Sequence, residues 1–230
     1  MISRILRAIT RIFFNAMFSG SDNWMRHSSI FFYAIEVYLV FKLLHLNAFY
    51  APLLVLILVC VYLIGSHGYG MLYVLLVSSI PAIWYFITSL PFTRSLEVSF
   101  LASLRAFTLS AWIITLIYFL NPMEIALIVR LTSRNKGAQL AFPLVWRMVP
   151  HVMSDMEASL LANELKGEKT WKGLAVTMLA TKEYETMYSE GLIAKVKRFS
   201  ALYWYDARAL LLSVCVLSAM ILILVFEIYV

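Results

Sequence analysis

Residues 207–229 read ARALLLSVCVLSAMILILVFEIY, and no charged side chain lies between Arg208 and Glu227. A helix needs about 20 consecutive apolar residues to cross the hydrocarbon core of a bilayer, so this stretch is typical of a transmembrane helix. Four further apolar runs precede it, at about 28–46, 51–64, 69–90 and 98–120. The second of these runs is short, and His67 and Gly68 just beyond it indicate a tight turn between two spans.

The composition of this 230-residue chain excludes an ordinary soluble domain. Hydrophobic residues make up 62% and charged residues 14% of it, and the mean hydropathy is +0.83, whereas soluble domains are about half apolar and a quarter charged. The net charge of +6 does not indicate nucleic acid binding, because the basic residues flank the apolar runs. Cys60 and Cys215 lie inside apolar runs, so we expect buried free thiols. The chain is therefore expected to be an all-α integral membrane protein with about five transmembrane helices.

The lysines and arginines predict the orientation of the spans. Four basic residues precede the first span, and eleven lie in the stretch 121–206 between the fourth and the last span. The connections near 47–50 and 65–70 have none. By the positive-inside rule, the N-terminus and residues 121–206 are cytoplasmic and the C-terminus is external.

The chain thus divides into four regions. They are an amphipathic N-terminal segment (1–27), a region of four transmembrane helices (28–120), a cytoplasmic region (121–206) and a C-terminal transmembrane helix (207–230). In the first region Arg4, Arg7 and Arg11 recur at helical spacing among apolar residues. This pattern predicts a helix that lies in the headgroup layer of the bilayer.

Two long amphipathic helices are predicted in the cytoplasmic region, over 138–166 and 171–191. The first contains two prolines, of which Pro150 is expected to bend it. A helix of that length reaches roughly 40 Å, but its charged residues prevent it from crossing the bilayer, so we expect it to lie along the membrane face. In the second helix, the small residues Ala175 and Ala180 would let the two helices cross closely.

A series of landmarks follows in order along residues 95–215. They are Leu104-Arg105, Asn121-Pro122, the amphipathic segment 123–131, Arg147-Met148-Val149-Pro150, the stretch 155–167, Ser189-Glu190-Gly191, and Asp206 at the start of the last span. In this order and spacing, the chain resembles the transmembrane T component of energy-coupling factor (ECF) transporters. That family includes the CbiQ-type subunits of cobalt and nickel importers.

The resemblance implies a non-catalytic transport subunit without a cofactor, in a prokaryotic cell membrane. It implies that two short tips dock in grooves of two ABC-type ATPase subunits, and the tips are Leu165, Lys166, Gly167 and Ser189, Glu190, Gly191. A separate substrate-binding membrane subunit would capture the cargo, a vitamin or a transition-metal ion. The residues that we assign to the two coupling helices are Arg147, Pro150, Asp155, Glu157, Ala175 and Ala180.

The two tips differ from the Ala-Arg-Gly signature of the family. Lys166 keeps the positive charge but lacks the forked guanidinium, and Glu190 reverses the charge. Two explanations are open for these differences. The ATPase partner is altered, or the second tip is shifted and Lys195 or Lys197 supplies its cation.

Glu36 lies well inside the first span, where an unpaired carboxylate is costly. We expect it to form a structural ion pair with Arg105 of the fourth span. Asp155 and Glu157 are two residues apart and point in different directions on a helix, so they do not predict a metal or acid–base site. The four histidines lack zinc-site spacing, and no glycine-rich phosphate loop is present, so ATP binding is expected in partner chains.

Two other functions are open to an integral membrane protein of this kind. An intramembrane enzyme, such as a lipid-modifying transferase or a protease, would concentrate acids or histidines at matching depths across several spans. A substrate-binding subunit would place polar groups in the outer halves of its spans. In this chain the polar residues are concentrated in one cytoplasmic block instead, which favours a scaffold.

Overall fold

The computed structural model describes residues 2–18, 24–132, 136–166 and 205–229. Their regular structure is helical, and no strand occurs among these residues. The α-helices in these ranges are α1 (Ile2–Phe18), α2 (Ile30–Leu46), α3 (Ala51–Ile64), α4 (Gly68–Thr93), α5 (Leu96–Tyr118), α6 (Pro122–Thr132), α7 (Lys136–Lys166) and α8 (Ala207–Tyr229). The predicted apolar runs correspond to α2, α3, α4, α5 and α8.

Three of these helices are long enough and apolar enough to cross a bilayer. They are α4, α5 and the part of α8 from Ala207 to Glu227. Since α2 has 17 residues and α3 has 14, both are shorter than the stretch of about 20 residues typical of a span. The described part of the chain is therefore all-α with three candidate membrane-spanning helices, and the count of five spans stays a prediction.

Short connections of two to four residues separate α2, α3, α4, α5 and α6. Ser29 begins α2 by accepting a hydrogen bond from the backbone N–H of Phe31, as an N-cap residue does. A tight turn joins α3 and α4 as expected, but it spans residues 65–67, and Gly68 is already the first residue of α4.

The helix α4 carries Pro81 and Pro91 within its length. The hydroxyl of Ser103 in α5 donates to the carbonyl of Ala82 at 2.9 Å, and that of Ser110 donates to the carbonyl of Ser78 at 3.3 Å. Serine hydroxyls from a neighbouring helix help to satisfy the backbone of a proline-containing helix in an apolar environment. Among the described helices, α4 and α5 form the most extensive pair.

The described residues form two compact units. The larger unit contains residues 15–18, 24–120 and 205–229, and the smaller contains 2–14, 121–132 and 136–166. In the larger unit α5 contacts α2, α3 and α4, and α2 also contacts α8. Leu54, Leu58, Val74 and Met220 are fully buried in its core.

The outer surface of the larger unit is strongly apolar. Trp84 is 67% exposed, Phe92 86% and Phe226 66%. So many exposed large apolar side chains are typical of a surface that contacts lipid or protein rather than water. The free thiols of Cys60 and Cys215 are also exposed, so the expectation that they are buried is wrong. In a helix that is apolar on all sides, hydropathy does not tell which face packs on protein.

In the smaller unit α6 packs against α7. The side-chain oxygen of Asn121 accepts a hydrogen bond from the backbone N–H of Met123 at 3.0 Å and so caps α6. The helix α7 continues through Pro143 and Pro150 to Lys166 as one element of 31 residues, or about 46 Å. It confirms the helix predicted over 138–166, and its position relative to the membrane stays a prediction.

Candidate functional site

The helix α7 brings the first group of predicted coupling residues onto one element. Arg147, Pro150, Asp155, Glu157, Leu165 and Lys166 all lie within it. The remaining predicted residues, Gly167, Ala175, Ala180, Ser189, Glu190 and Gly191, lie outside the described residues, together with the predicted helix over 171–191. The structure therefore describes a helix over the first predicted coupling segment, and this helix ends within the first predicted tip.

Lys166 is the last residue of α7, and it is exposed. A cation in the last turn of a helix interacts favourably with the helix dipole. Val145 and Leu161 are also exposed on this helix, by 56% and 44%, and Phe142 stacks on Trp146 one turn away with their ring centroids 5.6 Å apart. The helix thus presents both apolar and cationic groups on its surface.

The structure does not bring Glu36 and Arg105 together. Glu36 is only 3% exposed, on the buried face of α2, whereas Arg105 is exposed on α5. No ion pair between them occurs among the described residues. The ion pair expected from the sequence is therefore not formed in this structure, in which Glu36 is buried and Arg105 is exposed.

Arg105 instead lies in a groove with a volume of about 440 Å³ between α2, α4 and α5. We call it the Arg105 groove. Its lining residues are Phe41, Leu44, His45, Pro81, Tyr85, Ala102, Arg105, Ala106, Leu109, Ser110 and Ile113. Apolar side chains dominate this lining, and Arg105 carries its permanent charge.

A second polar site lies in the core of the larger unit, and the sequence did not predict it. We call it the Tyr118 cluster, formed by Arg26, Tyr62, His67, Thr115 and Tyr118. The Nε of Arg26 donates a hydrogen bond to the carbonyl oxygen of Tyr118 at 3.2 Å. The Nδ1 of His67 shares a hydrogen bond of 2.9 Å with the hydroxyl of Tyr118. The hydroxyl of Tyr62 donates to that of Thr115 at 3.2 Å.

Burial controls the chemistry of this cluster. Arg26 is 8% exposed, and Tyr62 and Tyr118 are fully buried. Burial, together with the positive charge of Arg26, lowers the pKa of His67 from its ordinary value of 6.5. His67 is therefore neutral at pH 7, and its imidazole acts as a hydrogen-bonding group rather than a cation.

The cluster marks one end of the larger unit. Here the segment before α2 meets the end of α5 through Arg26 and Tyr118, and the turn between α3 and α4 meets it through His67. The start of α8 joins the same end, because the backbone N–H of Asp206 donates to the carbonyl of His27 at 3.1 Å. The chain therefore enters α2, leaves α5 and enters α8 at one common end.

A different contact lies at the opposite end of the larger unit, where α2 and α8 end. The hydroxyl of Tyr50, in the short 3-10 helix before α3, donates to the carboxylate of Glu227. This hydrogen bond raises the pKa of the Tyr50 hydroxyl. The pair ties the connection between α2 and α3 to the last turns of α8.

The residues of the Tyr118 cluster gave no signal in the sequence. Arg26 was interpreted only as a determinant of orientation, yet it hydrogen-bonds a residue 92 positions away. Such contacts depend on how the helices pack, which periodicity does not show. In the described part of the chain, no group of three or more histidine, cysteine, aspartate or glutamate residues is placed to hold a metal ion.

Comparisons of this chain with protein-family models, with curated proteins and with solved structures gave no match.

Proposed function

We propose that the chain is the membrane scaffold, or T component, of an energy-coupling factor importer in a prokaryotic cell membrane. In this proposal α2, α3, α4, α5 and α8 are five spans, with the N-terminus and residues 121–206 in the cytoplasm and the C-terminus outside. Two ABC-type ATPase subunits and a substrate-binding membrane subunit are its partners. The cargo is a vitamin or a transition-metal ion, and the scaffold itself is not catalytic.

The observation that carries the proposal is α7. It is a continuous helix of 31 residues, it bears Arg147 and Pro150, and it ends at the exposed Lys166. Motion can pass between ATPase subunits and a membrane only through an element whose arrangement both of them can bias. Among the described helices, α7 is the longest and combines this length with an exposed cationic end.

The ends of the apolar helices give independent support. The chain enters α2, leaves α5 and enters α8 at the end marked by the Tyr118 cluster. With this arrangement, residues 1–27 and 121–206 start from the same side of a bilayer that the larger unit crosses. The basic residues in both regions then make that side the cytoplasmic one.

A charge reversal at the tip tests the proposal. We expect Lys166→Glu to prevent assembly with the ATPase subunits while the protein still inserts into the membrane. Removal of one partner from a desolvated ion pair costs about 3–5 kcal/mol, which weakens binding by more than about 100-fold. Arg130→Glu is the matched control, because Arg130 is an exposed cation in the last turn of α6.

Assembly is measured by co-purification of ATPase subunits with the tagged chain, and function by cargo uptake in the same cells. The proposal requires loss of both with Lys166→Glu and retention of both with Arg130→Glu. Unchanged assembly and uptake with Lys166→Glu would remove this tip from the interface. A fully active chain that purifies without any ATPase would instead favour the intramembrane enzyme.

A further inference from the structure

The starting observation is the position of a single cation. Arg105 lies on α5, one of the three helices that are long and apolar enough to span a bilayer. It is nine residues from the start of that helix, a rise of about 14 Å. An arginine at such a depth is costly in an apolar medium unless an anion or water meets it.

No group of the protein supplies that anion in the described part of the chain. The guanidinium of Arg105 has no ion pair and no hydrogen bond there, although the residue is exposed. The carboxylate of Glu36, which the sequence suggested as a partner, is buried and forms no ion pair with Arg105 among the described residues. The charge of Arg105 is therefore directed into the groove that it lines.

A second polar group, the imidazole of His45, lines the same groove. Because Arg26 bonds to Tyr118, the start of α2 lies beside the end of α5, and the two helices are antiparallel. Side chains in a helix lean toward its N-terminus, so Arg105 leans toward the start of α5 and His45 leans toward the middle of α2. Both line the groove, and His45 is fixed by stacking on Phe41 at 6.4 Å between ring centroids.

The other lining residues on α5, which we call the floor of the groove, are mostly apolar. Ala102, Ala106 and Ser110 follow at intervals of four residues on α5, and Leu109 and Ile113 continue the floor. From Ala102 to Ile113 the groove extends over about 16 Å. An apolar groove of this length suits one extended acyl chain.

We propose that the Arg105 groove binds one anionic phospholipid, with its phosphate against Arg105 and His45 and one acyl chain along Ala106, Leu109 and Ile113. Arginine forms paired, charge-assisted hydrogen bonds to phosphate oxygens. Basic pockets between transmembrane helices are also a known type of site for anionic headgroups. This inference requires only that α4 and α5 lie in a bilayer, so it stands or falls independently of the scaffold function.

The test uses the full chain, purified in mild detergent, and native mass spectrometry with added phosphatidylglycerol. Diacylglycerol with the same acyl chains lacks the phosphate and serves as the comparison lipid. We expect one tightly bound phosphatidylglycerol on the unmodified protein and no comparable binding of diacylglycerol. Arg105→Gln should weaken phosphatidylglycerol binding by roughly 10- to 100-fold, because hydrogen bonds to a charged group are lost.

Two further variants separate the groove from general charge effects. Lys42→Gln removes a cation of the neighbouring α2 that lies over the ring of Tyr38 and does not line the groove, so lipid binding should be unchanged. Ala106→Phe fills the floor and should displace the lipid while Arg105 is retained. Equal binding by Arg105→Gln and Lys42→Gln, or equal binding of the two lipids, would overturn the proposal. Unchanged lipid binding together with loss of a co-purifying membrane protein in Arg105→Gln would also overturn it, in favour of a carboxylate on a partner.

Discussion

Gly70 and Tyr118 are packed so closely that no side chain fits between them. A Cβ atom on Gly70 would lie 2.6 Å from the ring carbon Cζ of Tyr118, and closer still to its hydroxyl. The same hydroxyl shares a hydrogen bond with His67. The contact therefore joins the first turn of α4, the end of α5 and the turn before α4 at one point.

The first prediction concerns this contact. Gly70→Ala should destabilise the protein by about 1–3 kcal/mol, the usual cost of overpacking a core. Gly68→Ala is the matched control, because no atom lies within 4 Å of a Cβ placed there. Thermal unfolding in detergent measures both variants. Equal unfolding temperatures for the two would contradict the close approach.

The second prediction concerns acid stability. Since the folded protein lowers the pKa of His67 below 6.5, the unfolded chain binds a proton at this residue more readily. The stabilisation linked to His67 is therefore fully present above its unfolded pKa and is lost as the pH falls below about 6.5. Unfolding temperatures at about pH 7.5 and about pH 5.5 should differ less in His67→Gln than in the unmodified protein. If the unfolding temperatures of His67→Gln and the unmodified protein depended on pH identically, His67 would titrate as it does in the unfolded chain.

The third prediction concerns Glu36 and Arg105. Because no ion pair joins them, the effects of Glu36→Gln and Arg105→Gln on the free energy of unfolding should add within about 0.5 kcal/mol. A double-mutant cycle with chemical unfolding in detergent gives this value. A coupling well above about 1 kcal/mol would show that the two residues pair after all.

The fourth prediction concerns orientation. In a background with alanine at Cys60 and Cys215, Glu97→Cys should react with a membrane-impermeant maleimide in intact cells, and Thr132→Cys should react only after lysis. Both positions are exposed, so their accessibility depends on the side of the membrane. The reverse pattern would invert the proposed topology.

The apolar helices could be predicted closely from the sequence. The runs at 28–46 and 98–120 became α2 and α5, because hydrophobic length is a local property. The stretch 138–166 became α7, because an amphipathic pattern is also a local property of the sequence. The turn between α3 and α4 was also visible, as a break between two apolar runs, although Gly68 belongs to α4.

The contacts between helices were less accessible to prediction. A charged residue inside an apolar run indicates that a partner is needed, as for Glu36 and Arg105, but hydropathy does not fix the rotation of a helix that is apolar on all sides. The burial of Arg26 depends on Tyr118, far away in the chain. Nothing in the sequence around Gly70 indicates its role, because that role depends on the ring of Tyr118 from another helix.

The scaffold function is tested most directly by purifying the tagged full chain from membranes of its own cells, in which its partner subunits are also produced. We expect two ABC-type ATPase subunits and one further membrane subunit to co-purify, and the complex to hydrolyse ATP. We expect the chain by itself, separated from these subunits, not to hydrolyse ATP. Recovery of a functional chain without any ATP-hydrolysing subunit would contradict the scaffold function.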